Sequence, residues 1–216
     1  MAHDEQLGWH PQVISPSTRT TTLLTLLALR DANLLEGFYL AGGTGLALQF
    51  GHRLSRDLDF FSREHFGEEA YLQRLKVLGD LSISVKAPDT LHTTILGTKT
   101  SFIAYTYPTL FSTKSFLEVA VADARDIACM KVSAIASRGA KRDFVDLFAC
   151  AQRFGLKEIL QLSDRKFAQV NYNKIHILKS LTYFADADKD PSPQMLEPFD
   201  WEAVKQFFRT EAPRLL

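Results

Sequence analysis

Asp57-Leu58-Asp59 puts two carboxylates at i and i+2. Successive side chains of a strand point to opposite faces, so both acids project to one side while Leu58 turns into the core. Like charges this close repel, and a divalent cation between them removes the repulsion. Oxygen donors without a neighbouring histidine or cysteine cluster favour Mg²⁺ or Mn²⁺ over zinc. Upstream, Gly42-Gly43-Thr44 ends the apolar run Gly37–Ala41, with twelve residues between Thr44 and Asp57. A glycine pair that closes a strand and opens a helix lets backbone N–H groups approach an anion where the helix dipole also favours it. Phosphate at Gly42, Gly43 and Thr44 with metal on Asp57 and Asp59 describes a nucleoside triphosphate site. Each motif alone is common in plain turns and strand ends; a strand, a short helix and a second strand linking them give the combination its specificity.

A second group lies downstream. Lys131 and Arg138 are seven residues apart, two helical turns, so both can point at phosphates from one face. Arg142 and Asp146, at i and i+4, share a face of the next helix, while Asp143 lies about 100° round it. Gly139 marks where the two helices meet. Set beside the aspartate strand, Lys131 and an arginine would hold a triphosphate, and Asp146 would contact the nucleotide or take a proton from an acceptor hydroxyl. The alternative is an ordinary Arg142–Asp146 helix pair, which contributes only a few tenths of a kcal/mol. The histidines add nothing by spacing: His52 sits in the linker before the aspartates, and no pair has metal-ligand spacing.

The elements that must position these groups follow from patterning. The spacing predicts a leucine-rich helix from about Ser17 to Leu35, with Leu23, Leu26, Leu27 and Leu34 on one stripe. It predicts strands at 37–41 and 57–61 around a helix at 44–50, and a helix at 68–78. Strands at 81–85, 93–96 and 100–107 follow, the last two joined by a Gly97-Thr98-Lys99 hairpin turn. One β-like run at 116–121 precedes helices at 124–138 and 141–154, with Asp123 and Asp126 as a capping pair. That order gives an α/β (α+β) fold, a small mixed sheet flanked by helices with a helical C-terminal half. Residues 1–122 would form the core and 123–216 a helical region that completes the site.

The 216 residues are 46% hydrophobic, enough for a sizeable core, and 25 acidic side chains cancel 25 basic ones. That balance removes the global pull expected of a nucleic-acid coat or an anionic-membrane binder, while leaving local basic patches open. Arg53, Arg56, Arg63, Arg125, Lys141 and Arg153 are candidates for one. Cys129 and Cys150 fall in helical segments and read as reduced core thiols, and neither a leader nor a membrane span is apparent, so a cytoplasmic location is expected.

The stretch Leu40-Ala41-Gly42-Gly43-Thr44-Gly45-Leu46-Ala47-Leu48, continuing through His52-Arg53-Leu54-Ser55-Arg56-Asp57-Leu58-Asp59-Phe60-Phe61, resembles the AbiEii/MenT-like nucleotidyltransferases. These are toxins of type IV toxin–antitoxin and abortive-infection systems within the polymerase-β-like superfamily. Asp126 to Lys131, Arg138-Gly139 and Arg142-Asp143-Phe144-Val145-Asp146-Leu147 resemble the family's lysine helix and its Arg-Asp-x-x-Asp segment. The resemblance implies a polymerase-β-like core and metal-dependent transfer of a nucleotide from an NTP to an acceptor hydroxyl. The catalytic set would be Asp57, Asp59, Lys131 and Asp146. Gly42, Gly43, Thr44, Arg138, Arg142 and Asp143 would bind the nucleotide. It further implies a tRNA 3′ end as acceptor and a cognate antitoxin as partner. One departure stands out. The superfamily commonly adds a third carboxylate on a later strand, and Ser101 to Tyr107 contains none, leaving Glu118 or Asp123 as substitutes. A nucleotide-binding or interaction module with weakened turnover, or transfer to a small molecule or a protein, are the competing readings.

Overall fold

Phe38-Tyr39-Leu40 is buried throughout and forms β1 (Phe38–Leu40) in the computed structural model, which describes residues 8–13, 16–170 and 173–215. β1 pairs antiparallel with β2 (Leu58–Ser62) through α2 (Gly42–Phe50), the compact strand–helix–strand unit that the glycine and aspartate motifs require. Strands β3 (Leu81–Ala87), β4 (Thr90–Ile95), β5 (Thr98–Ala104), β6 (Lys114–Phe116) and β7 (Val119–Val121) complete one sheet in the order β3-β4-β5-β2-β1-β7-β6. The sheet is mixed: β2 runs parallel to β5 and β1 parallel to β7.

Alternation sets what each face shows. In β2, Leu58 and Phe60 are fully buried, while Asp59 and Phe61 point the other way. Phe60 stacks on Phe102 of β5 at 5.4 Å between centroids, and the two are register partners. Because a one-residue slip would turn both rings to the opposite face, this pair also fixes which β5 residue stands beside Asp59. The Leu58, Phe60 and Phe102 face packs with Leu26 and Leu29 of α1 (Pro16–Asp31) and Tyr71 and Leu75 of α3 (Glu68–Leu75). Over β1, the opposite face packs with Leu46 of α2, Ile127 of α4 (Ala124–Ser137) and Phe144 of α5 (Lys141–Phe154). Over β4 and β5 that face stays open. Helices α6 (Leu156–Lys166), α7 (Lys174–Ser180) and α8 (Trp201–Glu211) extend the core behind α4 and α5. Among the described residues no helix is long and apolar enough to cross a membrane.

Four local expectations change. The β4–β5 turn centres on Leu96 and Gly97, both at positive φ (49° and 78°), so the strands begin and end closer to it than a Gly97-Thr98-Lys99 turn allows. The run at 116–121 is instead a tight hairpin, because Leu117 and Glu118 also hold positive φ (49° and 65°), a conformation their side chains do not advertise. In α1 the predicted stripe is buried at Leu26 and Leu29, with Leu34 just beyond the helix, but Leu23 and Leu27 are only half-buried and Thr22 and Thr25 join the buried line, Thr25 bonding to Thr98 and to the Ile95 carbonyl. Asp123 does cap α4 through the Arg125 N–H, but Asp126 does not close a capping box. Its carboxylate accepts from the Leu110 and Phe111 N–H groups and from Lys166, pinning the loop after β5 to α4 and α6.

Candidate active site

The open face of β4 and β5, the N-terminus of α2, the α4–α5 junction and the segment 190–194 enclose a cleft of about 1260 Å³. Asp57 and Asp59 stand in its wall, Asp59 on β2 and Asp57 just before that strand. Burial, the largest influence, raises the Asp59 carboxyl above its usual range. The Ser101 hydroxyl opposes that by hydrogen bonding, Asp57 adds to it, and Lys131 and Arg142 offset it only in part. Asp59 thus carries an electrostatic cost that a cation would relieve.

The glycines are explained by what crowds them. Gly42 takes φ +59°, and a Cβ there would stand 2.6 Å from Asp59 Oδ2. At Gly43 a Cβ would collide with the Arg53 guanidinium and lie 3.2 Å from Ser55 Oγ. The pair therefore lets an acid and an arginine press against the start of α2, whose first turn has no side-chain cap and opens toward the cleft. Thr44 does not reach the cleft. It is fully buried, and its hydroxyl donates to the Asp57 carbonyl and bonds Ser55 Oγ at 2.7 Å, tying α2 to the chain that delivers Asp57.

Lys131, Arg138 and Arg142 also line the cleft, whereas Asp143 and Asp146 are fully buried behind it. Asp146 accepts a bidentate pair from Arg53 at 2.6 and 2.9 Å, with His52 Nε2 at 2.9 Å and Lys131 Nζ at 2.7 Å. Asp143 accepts from Lys131 at 2.9 Å and from Arg138 at 2.7 and 3.0 Å. The alternative Arg142–Asp146 helix pair does not form: Asp143 and Asp146 share Lys131 between them, and Arg142 projects into the cleft without a hydrogen-bond or ion-pair partner among the described residues. Burial would push the Asp146 carboxyl up, but Arg53 and Lys131 outweigh it and hold it well below the carboxylate range. Burial would lower the Lys131 ammonium, yet Asp146 and Asp143 keep it raised and charged. Asp146 therefore orders Arg53 and Lys131, and its oxygens have no free approach for a nucleotide or an acceptor proton.

The other expected participants divide. Arg56 faces the cleft and bonds Gln194 at 2.8 Å. Arg125 pairs with Asp123 and covers Phe111, Arg153 covers Phe50, and Lys141 holds the Asp190 carbonyl, so these three are engaged elsewhere. Arg63 is exposed but lies outside the cleft lining. Neither proposed substitute for the third acid is present: Glu118 sits in the β6–β7 turn, and Asp123 caps α4. The residue paired with Asp59 on β5 is Ser101. Sequence spacing passed over Ser101, His92 and Lys99 in the cleft and His52 behind it. Only strand register, which the Phe60 and Phe102 alternation hints at, brings the first two to Asp59.

The donor set suits a hard cation. Asp57 and Asp59 offer carboxylate oxygens on one wall, and phosphate oxygens and water can complete an octahedral Mg²⁺ or Mn²⁺ shell. Among the described residues no three histidine, cysteine, aspartate or glutamate side chains form a metal-holding group, so such an ion would depend on the nucleotide for part of its shell.

Residues 25–109 and 96–214 match the model of the family described as the nucleotidyl transferase AbiEii toxin of type IV toxin–antitoxin systems. An uncharacterised protein of Aquifex aeolicus, aq_aa25, is 37% identical over 185 residues, spanning 83% of this chain and 88% of that protein. Among solved structures, JHP933 from Helicobacter pylori superposes with a TM-score of 0.56 over 94% of this chain and 93% of its own, at 19% identity. The antibiotic-resistance factor ANT(2″)-Ia gives 0.54 over 72% of this chain and 94% of its own, at 14% identity.

Proposed function

Because the chain belongs to the AbiEii family of nucleotidyltransferase toxins, we propose that it transfers a nucleoside monophosphate from an NTP to the 3′-terminal hydroxyl of an RNA, a tRNA in particular, and so arrests translation until an antitoxin neutralises it. The observation that carries this reading is the division of charge across one cleft, Asp57 and Asp59 on one wall and Lys131, Arg138 and Arg142 on the other.

A divalent cation bound by Asp57 and Asp59 would join the phosphates to the strand wall and neutralise charge that builds on the α-phosphate. The chain's own groups do the rest. The uncapped first turn of α2 at Gly42 and Gly43 receives phosphate oxygens on backbone N–H groups. Lys131, held charged by Asp143 and Asp146, and Arg138, fixed by Asp143, face the departing pyrophosphate. Arg53 keeps its guanidinium against Gly43 through Asp146, setting the floor of the phosphate site. Phe61, Ile103, Tyr105 and Met130 supply an apolar wall beside Asp59 for a nucleobase.

The acceptor side favours RNA over a polycationic small molecule. Its wall is built of Ser84, His92, Thr94, Lys99 and Ser101, with no carboxylate to pair an ammonium-rich acceptor, and Arg56 and Arg142 add positive charge at the rim. An anionic strand end fits such a surface through a local patch, without a basic chain as a whole.

The test is incubation with each of the four labelled NTPs, Mg²⁺ and total RNA, beside Asp59→Ala and beside aminoglycoside and protein acceptors. Label in RNA that depends on Asp59 and Mg²⁺ is expected. Label in the other acceptors, or Mg²⁺-dependent NTP binding with no product, overturns the RNA assignment.

A further inference from the structure

The open sheet face carries a row of three polar side chains on three neighbouring strands. Parallel pairing of β2 with β5 sets Ser101 beside Asp59, and antiparallel pairing of β5 with β4 sets His92 beside Ser101. All three line the cleft. His92 Nδ1 lies 2.9 Å from Ser101 Oγ, and Ser101 is the register partner of Asp59 on the same face of the sheet.

Proton accounting fixes the direction of this chain. An ionised carboxylate only accepts, so a Ser101 hydroxyl turned toward Asp59 acts as donor on that side, and its oxygen is left to accept from His92 Nδ1–H. A neutral imidazole holds one N–H, so Nε2 keeps a lone pair, and it has no partner among the described residues. Strands about 4.8 Å apart place His92 roughly 10 Å from Asp59 along the row, backbone to backbone. That interval accommodates a phosphate at the aspartates and a hydroxyl in front of the ring. The remaining acids are committed: Asp143 and Asp146 are buried in ion pairs, and Asp190 caps Lys141 N–H. The charges facing His92 are Lys99 on the same face of β5 and Asp59 beyond Ser101 on β2. From β3, Ser84 bonds its carbonyl, and Lys86 is tied to Glu69.

We propose that His92 is the general base of the transfer, with Ser101 a positioning residue that fixes its Nδ1–H tautomer. The inference rests on attack by an acceptor hydroxyl as read above. As the hydroxyl O–H bond breaks, its oxygen forms a bond to the α-phosphorus, and the bond from that phosphorus to the bridging oxygen breaks to release pyrophosphate. The proton passes to His92 Nε2, and the imidazolium returns it to water through the open cleft. Ser101, standing where an acid would otherwise flank Asp59, hands the base role one strand outward.

The decisive experiment compares wild type, His92→Gln and Ser101→Ala in transfer rate from pH 5 to 9, with NTP binding measured in parallel. His92→Gln is expected to lower kcat about a hundredfold or more, leave NTP binding unchanged, and alter the pH profile of the rate. A His92→Gln enzyme with wild-type kcat and wild-type pH profile overturns the base assignment while leaving the nucleotidyl transfer reading intact. A wild type that transfers to no acceptor overturns that reading instead. ¹⁵N NMR of the imidazole tests the arrangement without turnover: an Nδ1–H tautomer lost in Ser101→Ala is expected, and an Nε2–H tautomer in wild type overturns it.

Discussion

Two pairs of aspartates lie on either side of the cationic wall formed by Lys131, Arg138 and Arg142 and behave in opposite ways. Asp143 and Asp146 are fully buried, yet Lys131, Arg138, Arg53 and His52 saturate their oxygens, and both carboxyls are held below their usual range. Asp57 and Asp59 face a cleft, and burial with mutual repulsion raises Asp59. Depth alone therefore does not mark the acids of the candidate site. A carboxylate matched by cations of its own chain is scaffold, whereas a pair left short of cations in a concave wall is ready for one from outside.

Breaking that distinction should produce its largest effect on the open pair. Asp59→Ala is expected to lower nucleotide transfer at least a thousandfold with a melting temperature no lower than that of the wild type, read by labelled-NTP incorporation and a thermal scan. The matched pair should fail differently. Asp146→Ala leaves Arg53 and Lys131 buried without their shared partner, a situation that costs about 3–5 kcal/mol, and is expected to lower the melting temperature by about 10 °C. Wild-type stability in that variant would contradict the scaffold role. Gly42→Ala couples the two regions: a positive φ and a Cβ 2.6 Å from Asp59 Oδ2 should cost about 1–2 kcal/mol. It should also weaken Mg²⁺-dependent NTP binding more than it weakens folding, measured by calorimetry and denaturant titration.

What was legible in the sequence follows this same line. Gly42-Gly43 and Asp57-x-Asp59 are local patterns whose geometry one strand and one turn dictate, and they fall where spacing puts them. Lys131 and Arg138 do share a side, but their target is Asp143, and the bidentate Arg53–Asp146 pair joins residues 93 positions apart. No local period reports such a partner, because a buried ion pair is chosen by tertiary packing. Ser101 and His92 were hidden for a related reason: their place beside Asp59 depends on register across three strands, which Phe60 and Phe102 set only once the sheet exists. The Leu117–Glu118 turn went unseen because neither residue type favours the backbone it adopts.

The smallest expected effect sharpens the comparison through pH. An acid whose folded pKa is raised opposes folding when ionised, so the cost of Asp59 is absent in acid, sets in above its unfolded value and is complete above its folded one. Asp146 has the reverse sign, contributing stability above its unfolded value that is lost as pH falls toward its lowered folded one. Asp59→Asn keeps the shape and removes the charge, so it should raise the melting temperature by about 2–4 °C at neutral pH, with the gain vanishing near about pH 4, where the wild-type carboxyl is itself protonated. Saturating Mg²⁺ with NTP should stabilise wild type and leave the Asn variant nearly unmoved, reversing their order. If the Asn variant gains nothing in the absence of ligand, Asp59 carries no unmet charge, and the contrast between the two aspartate pairs reduces to their positions in the cleft wall.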